Sequence, residues 1–270
     1  MTPLDDLGEP VRLAERPARV VSLVPSITEV IAVSAPGVLA GATDYCTHPA
    51  DLAVVRVGGS KYPKLDAVRA ARPDLVLANA EENRPEDVAA LRADGIPVWV
   101  TAAAATVPAG LASMRRLLTT VFGLDGAREP SWLVEALREW ADPLPPVRAS
   151  AIVPVWRRPW VVVGRDTFAG DALRRLGVAN AYAGHAERYP RPPLSELRGL
   201  LDAGRADLVV LPDEPYRFTA EDGPEAFPGA RYALLDGRLL TWCGPSLAGA
   251  RRVLAGQLGA IRPWRTGPSR

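Results

Sequence analysis

Residues 106–146 are the one long helical stretch of the sequence without a strand-like run, and they divide the chain. Apolar side chains recur at helical spacing in two blocks, one around Leu117 and one around Leu133. Gly123 and Gly126 separate the blocks, and prolines end the second one, so the pattern predicts two consecutive helices. We interpret the segment as a rigid helical connector between two other parts of the chain.

Short β-branched runs alternate with helical patterns on both sides of this connector. The run RVVSLV at 19–24 is typical of a buried parallel strand, and DLVLAN at 74–79 has the same character. We therefore predict an α/β protein with two Rossmann-like lobes, each with a parallel-type sheet. The predicted lobes are residues 1–105 and 147–270, joined by the helical connector 106–146.

Three local predictions complete this outline. Residues 1–18 are polar and should form a surface lead-in or a short edge strand. Ser26 and Glu29 have the spacing of a capping box at the start of the first helix. Two short apolar runs around Gly237, at 230–236 and 238–242, indicate a late pair of strands.

A short motif occurs once in each lobe. RPDLVL at 72–77 reappears as RADLVV at 205–210, each time after a short helix and before an acidic, polar loop. The repeat predicts that the two lobes share a topology. The alternative is coincidence, since Asp-Leu-Val is common in doubly wound proteins.

Ligands of parallel sheets bind beyond the carboxyl ends of the strands. Two lobes on a rigid connector would bring the loops at those ends across one cleft, and we predict that these loops are 25–29, 43–49, 58–64, 80–84, 156–160, 188–193, 213–218 and 242–246. They hold a large share of the aromatic residues: Tyr45, Tyr62, Trp156, Trp160, Tyr189, Tyr216, Phe218 and Trp242. Aromatic faces beside a few polar groups suit a large, flat, partly apolar ligand.

The charge of the chain argues against two classes of partner. Lys and Arg number 32 against 31 Asp and Glu, so the net charge of +1 gives no electrostatic case for nucleic acid or an anionic membrane.

Residues 1–10 are acidic and lack the basic and apolar regions of a signal peptide. As written, the sequence indicates a cytoplasmic protein, which we expect to be a monomer. A start further upstream would instead allow a periplasmic or lipid-anchored extracellular protein.

Three segments, in order, resemble one known family. VVSLVPSITE at 20–29 is similar to the first strand and helix cap of the class III substrate-binding proteins, the helical-backbone metal receptors. RPDLVL at 72–77, with the helix before it, is similar to their "alkPDLV" segment, and GIPV at 95–98 to the strand that ends their first lobe. The resemblance covers about residues 19–260, with cobalamin-binding members nearest.

The resemblance implies a receptor that carries cobalamin, haem or a ferric siderophore as cargo and has no intrinsic cofactor. Such receptors dock on the membrane subunits of ABC importers through one carboxylate per lobe. Asp66 and Glu196 stand at the matching helix starts, although both are alternatively solvated acids of a first helical turn. With the aromatic and acidic loop residues, the candidate ligand contacts are Pro25, Ser26, Tyr45, Tyr62, Glu82, Asn83, Trp156, Trp160, Tyr189, Glu214, Tyr216 and Trp242.

Cys46 and His48 in one loop, and Cys243 in a loop of the opposite lobe, are candidate ligands for zinc, iron or cobalt. They would meet only when the lobes close. The alternative is that both cysteines are free thiols that pack as small apolar residues, and that His48 is an ordinary loop residue.

The charged loop residues allow a second class of function. Glu82 and Glu214 lie in acidic clusters that either accept hydrogen bonds from a ligand or are solvated. Four arginines in the predicted cleft loops of the second lobe can grip anionic oxygens of a ligand or lie on the surface: Arg157, Arg158, Arg188 and Arg191. The sequence has no phosphate-binding loop, dinucleotide fingerprint or nucleophile elbow. A cytoplasmic chelatase-like or metal-handling enzyme that uses these carboxylates is therefore the alternative to a binding protein.

Overall fold

The computed structural model describes residues 2–13 and 16–263, and the chain divides into two compact units. Unit 1 comprises residues 1–103, 109–136 and 243–245, and unit 2 comprises residues 104–108, 137–242 and 246–270. None of the helices in the described residues has the length and apolar character needed to cross a membrane.

Unit 1 is built on a parallel sheet. Its strands are β1 (Val20–Ser22), β2 (Leu39–Ala42), β3 (Val55–Arg56), β4 (Leu75–Asn79) and β5 (Val98–Thr101), and its helices include α1 (Pro25–Ser34), α2 (Leu65–Ala70) and α3 (Pro85–Ala93). The strand order is β3-β2-β1-β4-β5, and each of these neighbouring pairs is parallel. Strands β1, β4 and β5 are largely apolar and buried, as is usual where helices cover both faces of a parallel sheet.

Two helices follow β5, as the sequence predicts: α4 (Val107–Phe122) and α5 (Ser131–Glu139). Gly123 interrupts them with a φ of +63°, a conformation that favours glycine, and a single 3-10 turn at Gly126–Arg128 comes before α5. The division between the units falls inside both helices, so each helix contributes residues to both units. The rigidity of this connector stays a prediction.

Unit 2 has a second sheet and a separate hairpin. Its strands are β6 (Ala149–Ile152), β7 (Pro154–Trp156), β8 (Val161–Val162), β9 (Val178–Asn180), β10 (Leu208–Pro212), β11 (Arg231–Leu235) and β12 (Arg262–Pro263), and its helices include α6 (Phe168–Arg175), α7 (Leu194–Asp202), α8 (Gly237–Thr241) and α9 (Ala250–Gly259). The sheet order is β12-β11-β10-β6-β9, with β11 and β12 antiparallel and the other pairs parallel. Strands β7 and β8 form an antiparallel hairpin.

The units share a strand arrangement, which confirms the common topology that the repeated motif predicts. In each five-stranded sheet the strand that comes first in the chain lies between the second strand of that sheet and the motif strand, as β2-β1-β4 and as β9-β6-β10. Asp74 of one motif accepts hydrogen bonds from the backbone N–H groups of Ala18 and Arg19, at 2.8 and 3.0 Å. Asp207 of the other accepts one from the N–H of Ser150 at 2.6 Å. Each aspartate thus fastens the start of its motif strand to the start of the first strand.

Two local predictions need correction. Most of residues 2–13 and 16–18 are exposed, as predicted, but Asp5 is 1% exposed, and its carboxylate accepts hydrogen bonds from the N–H of Leu7 and the guanidinium of Arg92. Residues 238–242 do not form a strand. Asp236 accepts a hydrogen bond from the N–H of Leu239 at 3.0 Å and thereby caps helix α8, which occupies this segment.

Candidate functional site

The predicted ligand contacts of unit 1 lie at one edge of its sheet. Tyr45 follows β2, Tyr62 follows β3, Glu82 follows β4, and Pro25 begins α1 shortly after β1. Because the neighbouring strands are parallel, the loops that follow them leave the sheet at the same carboxyl edge. The chain connections diverge between β1 and β4, and open α/β sheets bind their ligands at such a position.

Within residues 2–13 and 16–263, the exposed aromatic side chains all lie in the predicted loops. Among the residues that the structure describes, the exposed aromatic side chains are Tyr45 (67%), Tyr62 (69%), Trp156 (46%) and Tyr189 (37%). The other described aromatic side chains are buried or half-buried. An aromatic ring left in water gives up the favourable free energy of burying its faces. These four positions are therefore the candidates for ligand contact in each unit.

A buried asparagine joins three of the loops of unit 1. Asn83 is 3% exposed, and its side-chain NH₂ donates to the carbonyl oxygens of Leu23 at 3.3 Å and Ser60 at 2.8 Å. Its side-chain oxygen accepts from the N–H of Asn79 at 2.8 Å. The amide group of Asn83 makes its hydrogen bonds inside the protein. We therefore reassign Asn83 from a candidate ligand contact to a residue that positions these loops.

The two exposed tyrosines of unit 1 have different neighbours. The guanidinium of Arg84 lies over the ring of Tyr62, 4.8 Å from its centroid, and pairs with Asp87 at 2.7 Å. The ring of Tyr45 lies near Gly59, where an added Cβ would be 3.5 Å from Cε2. Arg84 thus packs on the ring of Tyr62, and Gly59 lies beside the ring of Tyr45, while both rings are still more than half exposed.

Glu82 is the carboxylate of this edge that carries a perturbed pKa. Burial, together with the charge of Glu81, raises the pKa of the half-buried Glu82 to about 7, against the lowering effect of Lys61. Near neutral pH this carboxyl can therefore either donate or accept a hydrogen bond. Such perturbed groups are enriched at functional sites.

The first turn of α1 lies at the same edge. The helix begins at Pro25, with Ser26 as its next residue, and no side chain makes a capping hydrogen bond. The predicted capping box is therefore wrong, since Val24 is the N-cap residue and Ser26 lies inside the helix. The N–H of Ser26 lies in the first helical turn, where backbone donors favour a polar or anionic partner.

The predicted metal ligands do not form a metal site. Cys46 is buried, with its Sγ at 3.0 and 3.1 Å from the hydroxyls of Thr28 and Thr43, and burial raises the pKa of its thiol. Cys243 belongs to unit 1, not to the opposite lobe as predicted, and burial raises its pKa to about 12. Within the described part of the chain, which includes His48, no three or more His, Cys, Asp or Glu side chains are placed to hold a metal ion.

The aromatic residues predicted for unit 2 separate into exposed and packed groups. Trp156 ends β7, and its ring meets that of Tyr216 edge to face, with centroids 5.8 Å apart and planes at 80°. Trp160 packs against the core and stacks on Phe218, with centroids 6.1 Å apart and planes at 6°. Trp160 therefore supports the hairpin from within, which leaves Trp156 and Tyr189 as the aromatic surfaces open to a ligand.

The segment that carries Tyr189 packs directly on the hairpin. The N–H of Val162 donates to the carbonyl of Pro190 at 3.0 Å, and the N–H of Gly164 donates to that of Arg188 at 2.7 Å. A Cβ at Gly164 would lie 2.8 Å from Pro190 and 2.9 Å from the Arg188 carbonyl oxygen, so glycine is needed for this approach.

Glu214 and Trp242 interact at the carboxyl edge of unit 2. Burial raises the pKa of Glu214, as do the charges of Asp213 and Asp236, while a hydrogen bond with the Trp242 side chain lowers it. A Cβ at Gly237 would lie 2.8 Å from the Cβ of Glu214, so the loop after β10 packs closely on the start of α8.

The remaining charged candidates have partners in their own units. The guanidinium of Arg157 pairs with two carboxylates of unit 2, so the predicted grip on ligand oxygens is wrong. Asp66 pairs with Arg69 at 2.8 Å, and Glu196 accepts a hydrogen bond from the hydroxyl of Tyr182 at 2.7 Å. Both acids lie in the first turn of a helix as predicted, and their docking role stays a prediction.

Sequence similarity now gives the family. Residues 20–198 match the family described as periplasmic binding protein. The chain belongs to this family. No curated protein matches its sequence.

Solved structures of other periplasmic binding proteins have the same fold. A haem-binding protein from Pseudomonas aeruginosa is 23% identical, with a TM-score of 0.72 and coverage of 93% of this chain and 96% of that one. The vitamin B12 binding protein BtuF of Vibrio cholerae is 15% identical, with a TM-score of 0.66 and coverage of 90% and 97%. The molybdate-binding MolA of Haemophilus influenzae is 13% identical, with a TM-score of 0.72 and coverage of 96% and 91%. At these identities the likeness shows the fold alone, and it confirms the predicted two-lobed α/β class.

Sequence reasoning missed a residue that shapes the loops of this periplasmic binding protein. Asn79 accepts a hydrogen bond from the N–H of Glu81 at 2.9 Å and donates to Oγ1 of Thr101 at 3.0 Å, so it orders the loop that carries Glu82. In the sequence, this role is indicated by an asparagine at the last position of an apolar strand, because a buried amide needs hydrogen-bond partners.

The role of Asn83 in this periplasmic binding protein is testable. In Asn83→Ala, we expect the free energy of unfolding to fall by about 2 kcal/mol, because two carbonyls and one N–H lose a buried partner. Urea denaturation followed by circular dichroism measures the change. Glu86→Ala, an exposed position on α3, is the control and should change the value by less than about 0.5 kcal/mol. An equally small change in Asn83→Ala would show that other contacts hold the loops.

Proposed function

We propose that the protein binds a metal-containing macrocycle or chelate, with a corrinoid such as cobalamin first and haem or a ferric siderophore next. Membership of the periplasmic binding protein family supports a binding function. Proteins of the same fold include a vitamin B12 binding protein and a haem-binding protein, and both of these ligands are large, flat metal chelates. The observation that carries the proposal is the exposure of Tyr45, Tyr62, Trp156 and Tyr189 at the carboxyl edges of the two sheets.

In this proposal the exposed rings of each unit contact the ligand. Aromatic faces stack on a flat macrocycle and bury its apolar surface. Glu82 and Glu214 supply the polar contacts, and the raised pKa of Glu82, about 7, lets it donate to an acceptor or accept from an amide at neutral pH. Ser26 and Trp242 complete the set of contacts.

The transport role is part of the same proposal. Asp66, whose side chain is almost fully exposed, and Glu196 would each meet arginines of ABC membrane subunits. The family description favours a location outside the cytoplasm over the cytoplasmic location that residues 1–10 indicate. Cell fractionation with the chain expressed from its own gene start tests this location. Recovery of the chain with cytoplasmic markers alone would contradict it.

Equilibrium titration tests the ligand class. Purified protein is mixed with cobalamin, haemin or ferric siderophores while tryptophan fluorescence and the chelate absorption bands are followed. We expect one class to bind with a Kd below roughly 100 μM, which corresponds to about −5.5 kcal/mol. Trp156→Ala and Tyr45→Ala should each weaken that binding by about 10-fold, since each loses a stacking surface worth about 1.4 kcal/mol.

A matched control is available on helix α5. Val134 is an exposed apolar residue outside the predicted loops, and Val134→Ala should leave the Kd unchanged. If all three chelate classes fail to bind below roughly 100 μM, or if Trp156→Ala and Tyr45→Ala bind as well as Val134→Ala, the proposal is wrong.

A second candidate function, a metal-handling enzyme, is favoured by the pKa of Glu82. A carboxyl with a pKa of about 7 can act as a general acid or base at neutral pH. An enzyme would show chelate turnover that Glu82→Gln abolishes. Binding without turnover would leave the first function in place.

A further inference from the structure

The hairpin β7–β8 of unit 2 carries Trp156 and needs support from outside itself. It has only two short strands, Pro154–Trp156 and Val161–Val162. A two-stranded hairpin alone is at best marginally stable in water. Trp156 is the last residue of β7 and is exposed, so its own side chain adds little to that support.

A buried arginine fastens the tip of the hairpin. Arg157 follows Trp156 in the chain, and its side chain is 13% exposed. Its guanidinium pairs with Asp222 and Glu225 and lies over the ring of Trp160, 5.4 Å from the centroid. Both carboxylates belong to the segment between β10 and β11, so the ion pairs connect this segment to the hairpin.

Asp222 also fixes the ring that Trp156 packs against. One of its carboxylate oxygens, Oδ1, pairs with Arg157, and the other, Oδ2, accepts a hydrogen bond from the hydroxyl of Tyr216 at 2.6 Å. The ring of Tyr216 meets Trp156 edge to face. Asp222 therefore binds both Arg157, which follows Trp156 in the chain, and Tyr216, whose ring packs against that of Trp156.

The chemistry of this arrangement favours a single orientation of the indole. A carboxylate that bridges a guanidinium and a phenol makes two charge-assisted hydrogen bonds, which are shorter and stronger than neutral ones. Loss of the carboxylate would leave Arg157 with Glu225 and Tyr216 without its acceptor. The hairpin would keep its strands, while the ring of Trp156 would gain freedom.

We propose that Asp222 is a positioning residue for ligand binding: by bridging Arg157 and Tyr216, it fixes the ring of Trp156 in the orientation that receives a flat ligand. The use of that orientation rests on the proposed function. The orientation itself is a property of the ligand-free protein and is measurable without any ligand.

The first experiment is ¹⁹F NMR on protein labelled with 5-fluorotryptophan, with the Trp156 signal assigned from its loss in Trp156→Phe. In Asp222→Ala the signal of Trp156 should shift or broaden while the protein keeps its circular dichroism spectrum. Tyr216→Phe, which removes only the hydroxyl donor, should change the signal in the same direction. Asp142→Ala removes an Arg–Asp pair elsewhere in unit 2 and should leave the signal unchanged.

The second experiment is a double-mutant cycle on chelate binding. Asp222→Ala should weaken cobalamin or haemin binding by about 10-fold, and it should add almost nothing in a Trp156→Ala background, because the two act through the same ring. An unchanged Trp156 signal in both Asp222→Ala and Tyr216→Phe would overturn the positioning role, as would fully additive effects on binding. A changed signal in protein that binds none of the chelates would uphold the positioning and refute the ligand class alone.

Discussion

Asp5→Ala should lower the free energy of unfolding by about 3 kcal/mol, the cost expected when a buried ion pair loses one partner. Oδ1 of Asp5 accepts hydrogen bonds from the N–H groups of Leu7 and Glu9, both at 2.9 Å. Oδ2 accepts from Nη2 of Arg92 at 2.8 Å and from the N–H of Val100 at 3.3 Å. Alanine would leave all four donors without this partner and weaken the attachment of the first segment of the chain to β5, which the hydrogen bond from the N–H of Asp6 to the carbonyl of Val100 would still hold.

Urea denaturation of the full chain, followed by circular dichroism, measures this loss. Asp5→Asn keeps one acceptor oxygen and should fall between the wild type and Asp5→Ala. Glu9→Ala changes an exposed neighbour and should stay within about 0.5 kcal/mol of the wild type. A loss of less than about 1 kcal/mol in Asp5→Ala would mean that the segment is not part of the cooperative fold of unit 1.

Glu82→Gln should stabilise the protein above pH 7 by as much as about 3 kcal/mol and leave its stability at pH 4.5 nearly unchanged. The pKa of Glu82 is raised from 4.5 to about 7 in the folded protein, chiefly by burial. Between these values the folded state binds more protons than the unfolded state, so the free energy of unfolding falls as pH rises. The fall is complete once pH exceeds the folded pKa. Glutamine carries no charge and escapes this cost.

Urea unfolding at pH 4.5, 6, 7 and 8 measures the effect as the difference between wild type and variant at each pH. Glu135→Gln, an exposed position on α5, is the control and should follow the wild type at every pH. The same pH dependence in Glu82→Gln and in the wild type would show that the carboxyl of Glu82 titrates normally. The raised pKa would then lend no support to a polar role for Glu82 at the ligand surface.

The sequence predicts the fold where apolar runs and turn residues agree. The β-branched runs gave the parallel strands, and the repeated aspartates, Asp74 and Asp207, marked the shared topology. Local patterns failed where a distant partner decides the structure. Nothing in the sequence near Asp5 indicates a partner, but in the structure Asp5 pairs with Arg92. Residues 238–242 have the pattern of a strand, but in the structure Asp236 caps a helix there.

The sequence predicted which loops carry the exposed aromatic side chains, but not which aromatic side chains of those loops are exposed. Loop position and aromatic content indicated Tyr45, Tyr62, Trp156 and Tyr189, all of which are exposed. Sequence alone did not separate them from Trp160, because an indole that packs in a core and one that faces water look alike in a sequence. The ion pairs of Arg157 were equally hidden, since their carboxylates lie some 65 residues further along the chain.

The central claim is that the exposed aromatic loops at the carboxyl edges of the two sheets contact a metal chelate, and hydrogen exchange tests it most directly. The full chain is saturated with whichever of cobalamin, haemin or a ferric siderophore binds most tightly, and amide exchange is compared with and without it. The claim predicts slower exchange in loops 43–49 and 58–64 of unit 1 and in loops 156–160 and 188–193 of unit 2. Protection in one unit alone, or outside the carboxyl edges of the sheets, would contradict it.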